Sequence, residues 1–527
     1  MKIVRLSLVV SLLLPIIPFI GCKKYLDINS DPVNPQESSA ELVIAPIVAN
    51  MAIGTALDYR QLFKTIQYWG SQSSSDTWER HGYVDASDLG GYIWRMTYAD
   101  LGLNLEDMID DGISNQKYEY AGIGYAIKAW AYQIATDLHG PIILDAAFDP
   151  TLLSFPYQDQ DTVYRKIRTW CQLALTYLDM ESPVDYSSQL NSVSGDNVYR
   201  GDLAKWKQFV YGLMALQFSH LVNKSEFQSQ YADSVIRYVD SSFASDSDDP
   251  MVLFTASNSS DGNPFGPTYG MITGTTYGEI ASPILGLLTG GVRGTAAEEP
   301  KESVDPRLTR MLTYTPADSI YRAVTPTYGD VNSDVPHVLG ATNSSGIYTG
   351  KYLFGDATSY PLMSYAQLQF AKSEAYYYKG NLSEAYNAYL NGIRAHMNFI
   401  NLYGLTAGGD ASITSSEIEA YLASSEVPQS SDSLTIADIM QQKFIAQWGW
   451  AGMEQWCDLR KYHYDAEIFR TFYQLSSDEL ADQNNGSYAY RYRPRYNSEY
   501  VWNSAELDKW GGLATDYMTY ETWFSLP

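Results

Sequence analysis

The stretch Pro361–Met397, PLMSYAQLQFAKSEAYYYKGNLSEAYNAYLNGIRAHM, decides the fold prediction for this chain. Its apolar residues recur at three- and four-residue spacing, which predicts two helices. A tight stop separates them at Gly380, a residue suited to the left-handed conformation of a helix C terminus. Asn381 can cap the second helix, and Glu384 falls where a capping box requires it. Pro361 suits the first turn of the first helix, where its missing N–H costs nothing.

Small residues lie where these two helices would pack. Ser373 and Gly392 alternate with larger partners at Tyr376, Ala385 and Tyr389. The pattern is similar to one tetratricopeptide unit. Because a single helical hairpin cannot bury its own faces, we expect further helix pairs elsewhere in the chain.

Composition indicates a globular chain that does not bind nucleic acid. The sequence has 527 residues, of which 45% are hydrophobic and 18% charged, and its formal net charge is −26. A strongly acidic chain lacks the clustered cations that phosphate binding needs. Tyrosine is abundant, at 44 residues. Tyrosines fill helix interfaces or line a surface for sugars, because the ring offers an apolar face and a polar handle together.

The N terminus predicts export and lipid attachment. Residues 1–21 carry Lys2 and Arg5, then an apolar run from Leu6 to Ile20 and the small residue Gly21, as in a secretory signal peptide. Cys22 follows directly and resembles the lipobox cysteine of bacterial lipoproteins, which becomes acylated. More than one acyl chain would give lasting membrane anchoring. The alternative is an ordinary signal peptide with an incidental cysteine.

The sequence after the signal peptide predicts a tether at residues 22–40, followed by a mostly α fold in one domain over residues 41–527. Helical periodicity predicts helix pairs over about 41–243 and 361–462. The insert at 244–360 is rich in Gly, Ser, Thr, Asp and Pro and predicts loops, turns and short strands. The C-terminal part is predicted to be irregular.

Neither cysteine chemistry nor metal binding is indicated. Cys171 and Cys457 fall in apolar helical patterns and are expected to be buried free thiols, although one disulfide is possible. Asp246, Asp248 and Asp249 lack the glycine turn and closing Glu of a calcium loop, so we expect a solvated acidic turn.

Catalytic motifs are missing from the sequence. None of the six histidines forms H-E-x-x-H, and there is no G-x-S-x-G elbow. A glycosidase needs two carboxylates at a set separation, and nothing in the sequence singles out such a pair. We therefore predict no catalytic residues, no metal and no cofactor.

Seven stretches along the chain, in order, resemble the SusD-like (SusD/RagB) family. They are KYLDINSDPVNP at 24–35, ATDLHGPIILDAAF at 135–148, FPYQDQDTVYRKI at 155–167, VDPRLTRMLTY at 304–314, YPLMSYAQLQFAKSEAYYYKG at 360–380, QQKFIAQWGWAGMEQWCDLRK at 441–461 and RYRPRYNSEYVWN at 491–503. His139-Gly140 departs from the family's usual Tyr-Gly pair.

This resemblance implies a mostly α-helical fold of tetratricopeptide-like pairs with an irregular ligand-binding part. It implies a lipid-anchored outer-membrane protein that faces the cell exterior. It also implies a partner, a SusC-like TonB-dependent β-barrel transporter, over which the protein acts as a lid that captures nutrient without catalysis. Glycans are the family's usual ligands, and some members take peptides.

Loop aromatics beside planar polar groups are the predicted glycan contacts, because aromatic faces stack sugar rings and amides or guanidinium groups bind the hydroxyls. These are Trp78, Arg80 and Tyr83 in the loop 70–91, and Asn263, Phe265 and Tyr269 in the insert. The opposing interpretation is that these aromatics fold back onto the helices.

Three other functions stay open from the sequence. The same lid could carry peptides, and an acidic surface would then favour basic ones. The helix pairs could instead form a scaffold lipoprotein that binds only another protein. A hydrolase is the fourth hypothesis.

Overall fold

The computed structural model describes residues 38–274, 276–405 and 409–527. The predicted signal peptide, Cys22 and most of the tether lie outside the described residues. The described chain is mostly helical, and its strands are two residues long. The predicted fold class is therefore confirmed.

The helices occur in two series on either side of the insert. The first series is α1 Ala40–Thr65, α2 Tyr92–Arg95, α3 Gly102–Ser114, α4 Tyr118–His139, α5 Gln160–Leu178, α6 Ser187–Leu190, α7 Leu203–Ser219 and α8 Ala232–Ser241. The insert carries α9 Ser282–Gly286 and α10 Arg307–Met311. The second series is α11 Tyr365–Tyr378, α12 Leu382–Tyr403, α13 Ser415–Leu422, α14 Ile436–Gln447, α15 Gly452–Lys461 and α16 Ser504–Asp508. Consecutive helices pack as pairs: α3 with α4, α4 with α5, α7 with α8, and α11 with α12.

The hairpin α11–α12 forms with two differences from its prediction: Pro361 lies outside α11, and the Asn381 N–H donates to the Tyr376 carbonyl, so Glu384 does not complete a capping box. Gly380 adopts a φ of 75°, and the Asn381 side chain accepts the Glu384 N–H, as expected for the stop and the cap. The placement of Pro361 in the first helical turn is wrong. The Ser364 side chain instead caps α11, and Pro361 lies in a strand before it. The helix starts later because the Ser364 side chain accepts the Gln367 N–H, whereas Pro361 pairs with Met251 in a strand.

Small residues allow α11 and α12 to approach closely. The Ser373 hydroxyl donates to the Ala385 carbonyl at 2.7 Å. A Cβ added at Gly392 would lie 2.7 Å from the Phe370 ring, so the lack of a side chain at Gly392 makes room for this ring. The small positions chosen from the sequence are therefore the contact positions of the hairpin.

Short strands tie the insert to the helices. The strands are β1 Trp69–Gly70, β2 Ile142–Ile143, β3 Tyr157–Gln158, β4 Met251–Val252, β5 Glu279–Ile280 and β6 Tyr360–Pro361. They pair antiparallel as β1–β5, β2–β3 and β4–β6. The β1–β5 pair sets Trp69 opposite Ile280, directly after α1. The loop that follows β1 therefore runs beside the insert.

The two cysteines in helical patterns and the long apolar helix α1 are both parts of the protein core. Cys171 and Cys457 are buried and free, which confirms the thiol prediction. Among the described helices, α1 is long and apolar enough to cross a membrane by length and composition. However, 56% of its apolar window is buried inside the protein, so α1 serves as a core helix.

Candidate ligand-binding site

The three residues predicted from the first loop face the protein body. Trp78 is buried, with its ring 5.2 Å from that of Tyr492. Tyr83 is buried beneath the Arg493 guanidinium, which lies 4.1 Å from its ring centroid. These aromatic faces are therefore covered by residues of the C-terminal part.

Arg80 holds a neighbouring loop in place. Its guanidinium donates to the carbonyls of Glu479 and Leu480, each at 2.9 Å. Its side chain keeps 27% of its accessible surface. Most of its hydrogen-bonding capacity is thus spent within the protein.

The second predicted group divides into two buried residues and one exposed residue. Asn263 donates to the carbonyls of Leu353 and Thr358 at 2.8 and 3.1 Å, so it clamps the insert. Phe265 is 2% exposed and meets Trp69 edge-on at 5.5 Å. Tyr269 is 43% exposed. Of the six predicted residues, Tyr269 is the one that presents an open ring to solvent.

A cleft of about 700 Å³ lies in the insert. Its size is within the range of small-molecule sites in proteins. The wall combines residues of α9, the loop 296–299, the segment 320–335 and Tyr473, which lies outside the insert. None of the six residues predicted from the sequence lines it.

Two tyrosines form the aromatic edge of the cleft. Tyr328 is 54% exposed and meets Tyr473 edge-on at 6.1 Å. Both hydroxyls donate to Glu479 Oε1, at 3.1 Å from Tyr328 and 2.7 Å from Tyr473. Partial burial opposes ionisation of Glu479, but hydrogen bonds from Ser476 and Tyr473 lower its pKa below the ordinary value. A charged acceptor therefore orients both rings.

The turn that carries Tyr328 is fixed to the first loop. The Thr327 N–H donates to the Glu79 carboxylate at 2.6 Å, and the Thr327 carbonyl accepts the Ser75 N–H at 2.7 Å. The Asp330 N–H donates to the Gln72 carbonyl at 2.9 Å. Tyr328 therefore stands on a backbone held from two sides.

Backbone conformation on both sides of Tyr328 is unusual. Thr327 has a φ of 73°, which a β-branched residue rarely adopts. Gly329 also has a φ of 73°, and a Cβ there would lie 2.5 Å from the Gln72 carbonyl oxygen. Only glycine fits this approach. Strain held in place by surrounding contacts is frequent at functional sites.

The polar wall of the cleft centres on Arg322. Its guanidinium donates to Asp318 at 2.9 Å and pairs with Asp334 at 3.1 Å. The hydrogen bonds from Arg322 lower the pKa of Asp318 to about 2. Asp330 accepts the N–H groups of Asp334 and Val335, which fixes the turn on this side.

Chemically, this arrangement suits a flat ligand with polar edges. A tyrosine face can stack an apolar ring face, while the guanidinium, carboxylates and Asn332 amide can bond hydroxyls. The surrounding wall adds small apolar side chains, among them Val331, which is 88% exposed.

A buried group of potential metal ligands is instead a hydrogen-bond network. Donor atoms of Asp137, His220 and Cys457 lie within 4.8 Å of one another. Tyr164 already donates to Asp137 at 2.6 Å, and the Arg460 guanidinium lies 3.3 Å from the Cys457 sulfur. A cation there would face a guanidinium, so these residues are not suited to hold one.

The acidic turn in the insert is not solvated as predicted. Asp246 and Asp249 are buried, and one oxygen of each has no hydrogen-bond partner among the described residues. Burial raises the pKa of Asp246 to about 7. The turn packs against α11, where the Asp249 carboxylate accepts the Tyr365 N–H at 2.7 Å.

Helix pairs that carry an aromatic-edged cleft on an irregular insert define a helical-repeat protein with a candidate binding surface. The family described as SusD-like, starch-binding and associating with the outer membrane matches residues 32–493. The chain belongs to this SusD-like family, which confirms the resemblance predicted from the sequence. No curated protein sequence matches the chain significantly.

Solved structures share the fold over nearly the whole chain. A chitin-binding protein has a TM-score of 0.68 at 18% identity, covering 92% of this chain and 99% of its own. A SusD/RagB family protein from Bacteroides thetaiotaomicron has a TM-score of 0.64 at 20% identity, covering 93% and 99%. A chitin-binding SusD homologue from Flavobacterium johnsoniae has a TM-score of 0.62 at 16% identity, covering 92% and 98%.

Proposed function

We propose that the protein captures glycans at the cell surface, in the cleft beside Tyr328. The observation that carries this proposal is the exposed Tyr328 ring, held at the edge of a cleft of about 700 Å³. Membership of a family described as starch-binding supports it, and so do two structural neighbours described as chitin-binding.

The proposed role is capture and transfer, without hydrolysis. The bound glycan passes to a SusC-like TonB-dependent β-barrel transporter, over which the protein acts as a lid. The family's association with the outer membrane supports this location. Purification of the native protein with its membrane partners tests the transfer step. Recovery of a β-barrel transporter is expected, and a complex without one would favour the scaffold alternative.

Lipid on Cys22 is the proposed anchor, with residues 1–21 removed and residues 22–40 as the tether. Metabolic labelling with palmitate is expected to mark the wild type and not Cys22→Ala. Equal labelling of both, or of neither, would contradict the anchor while leaving glycan capture untouched.

Calorimetry with α-glucan and chitin-type oligosaccharides tests the site. Removing one aromatic on which a nucleobase stacks costs about 1–3 kcal/mol, and with the same range for a sugar face Tyr328→Ala is expected to weaken binding roughly 5- to 150-fold. Tyr328→Phe keeps the ring and is expected to retain most affinity. Incubation with labelled glycan is expected to produce no new reducing ends.

Tyr269→Ala is the matched control, because Tyr269 is similarly exposed and lies outside the cleft wall. A loss of affinity confined to Tyr269→Ala would move the site to the residues predicted from the sequence. Tighter binding of basic peptides than of any glycan would support the peptide alternative.

A further inference from the structure

We propose that the cleft beside Tyr328 discriminates by charge: it takes neutral or amine-bearing glycans and rejects glycans with carboxylate or sulfate groups. This inference rests on the proposed function and adds the chemical class of the ligand. Its basis is the set of charged side chains in the cleft wall and the way in which their positions are fixed.

Carboxylates outnumber cations in the cleft wall. Among the described residues that line it, the carboxylates are Glu298, Glu299, Asp330 and Asp334, whereas Arg322 is the single guanidinium. Lys301 follows along the same chain segment but is not part of the wall. A cleft lined by one sign of charge concentrates the field and raises the local concentration of the opposite charge.

The one guanidinium is already neutralised. Arg322 is shared between Asp318 and Asp334, with nitrogen–oxygen distances of 2.9 and 3.1 Å. An anionic ligand would have to compete with both carboxylates for it. Bidentate recognition of a sugar acid by arginine, the usual solution for such ligands, is therefore blocked.

The acidic side chains stand on a fixed loop. The Ala297 N–H donates to the Thr289 carbonyl at 3.1 Å, and the Pro300 carbonyl accepts the Tyr321 N–H at 2.9 Å. Glu298 and Glu299, both exposed, lie between these two anchors. The loop therefore cannot easily swing away to admit an anion.

Exclusion of anions follows from these three features together. A carboxylate or sulfate on the sugar would meet the like charges of Glu298 and Glu299, while Asp334 already occupies the Arg322 guanidinium, so the cleft wall repels it. A protonated amine would meet attraction, and a neutral sugar would meet neither. The aromatic edge serves all three classes equally, so charge is the discriminating property.

One oligosaccharide backbone in several chemical forms provides the test. Chitin-type oligosaccharides of one length are compared by calorimetry with the full-length protein as N-acetylated, deacetylated, hydroxyethylated and carboxymethylated forms. The hydroxyethylated form controls for the size of the carboxymethyl group. We expect the carboxymethylated form to bind about tenfold weaker than the hydroxyethylated form. We expect the deacetylated form to bind more tightly at low salt and to lose that advantage at high salt.

Two pairs of substitutions assign the effect to the loop. Glu298→Gln with Glu299→Gln is expected to reduce the discrimination between hydroxyethylated and carboxymethylated forms several-fold and to change binding of the N-acetylated form by a smaller factor, because only the anionic form is repelled by the charge that is removed. Glu181→Gln with Glu226→Gln removes two exposed glutamates outside the cleft wall and is expected to change neither.

The outcomes separate the two proposals. Equal affinity for carboxymethylated and hydroxyethylated forms, or discrimination that survives Glu298→Gln with Glu299→Gln, overturns the charge rule alone. Failure of every form and of α-glucan to bind overturns glycan capture itself.

Discussion

The Glu79 carboxylate accepts the Thr327 N–H at 2.6 Å, between residues 248 positions apart in the chain. Its other oxygen accepts the Ser71 N–H at 2.5 Å. Glu79 is buried, and this burial raises its pKa to about 7 although both N–H groups lower it. One side chain thus joins the first loop to the turn that presents Tyr328.

Glu79→Gln tests whether this link positions the cleft. A glutamine offers one acceptor oxygen, and its NH₂ group would face a backbone N–H that is left unpaired. An unsatisfied buried group costs about 1–3 kcal/mol, so we expect the free energy of unfolding to fall by this amount. We also expect weaker glycan binding by calorimetry.

Glu181→Gln, which changes an exposed glutamate outside the cleft, is the control and should alter neither quantity. Unchanged stability and affinity in Glu79→Gln would mean that the turn at Tyr328 is held by its other contacts.

Asp246 makes the stability of the protein depend on pH. Burial raises its pKa from 3.8 to about 7, so the folded state holds a proton that the unfolded state releases between these values. The stabilisation contributed by the protonated Asp246 side chain is therefore complete at low pH, and it is lost as the pH rises toward about 7. Asp246→Asn removes the titration at nearly constant shape.

We expect Asp246→Asn to raise the free energy of unfolding by about 1–3 kcal/mol above neutral pH, with a gain that shrinks on acidification. Urea unfolding at a series of pH values measures this. A gain that grows on acidification would have the opposite sign and would contradict the assigned direction.

Gly392 is closely packed in the hairpin α11–α12, because a Cβ added there would lie 2.7 Å from the Phe370 ring. Overpacking in a core costs about 1–3 kcal/mol, which exceeds the roughly 1 kcal/mol that alanine gains in helix propensity. We expect Gly392→Ala to destabilise the protein in chemical denaturation. Phe370→Leu should remove part of that penalty, and strictly additive effects in the double variant would show that the two residues do not compete for space.

The two described cysteines should be chemically silent in the folded protein. Burial raises the pKa of Cys171 to about 12, and Cys457 is also buried with a raised pKa. Thiolate is the reactive form, so we expect no modification by a thiol reagent before unfolding and modification of both cysteines afterwards. A protein mass lower by two hydrogens, with no labelling after unfolding, would reveal a disulfide instead.

The helical half of the molecule was predictable because its signals are local. Periodicity, the Gly380 stop and the Asn381 cap all act within a few residues, and the hairpin forms where they predict it. Pro361 misled the prediction because its local preference is outweighed by strand pairing with Met251, a partner 110 residues away by the register of β4 and β6.

The candidate site was not predictable in the same way because it depends on distant contacts. Trp78 looked available in a polar loop, but Tyr492, near the other end of the chain, covers it. Tyr328 is not among the predicted residues, although it stands in Pro326-Thr-Tyr-Gly-Asp330, a turn sequence that places a tyrosine at its tip. Exposure there follows from the Glu79 link, which no local pattern reveals.

A crystal structure of the protein with a bound chitin-type oligosaccharide would show where the glycan binds. We expect a sugar ring stacked on Tyr328, with hydroxyls within hydrogen-bonding distance of the polar groups that line the cleft. A sugar bound instead beside Tyr269, or anywhere outside the wall that includes Tyr473, would contradict this expectation.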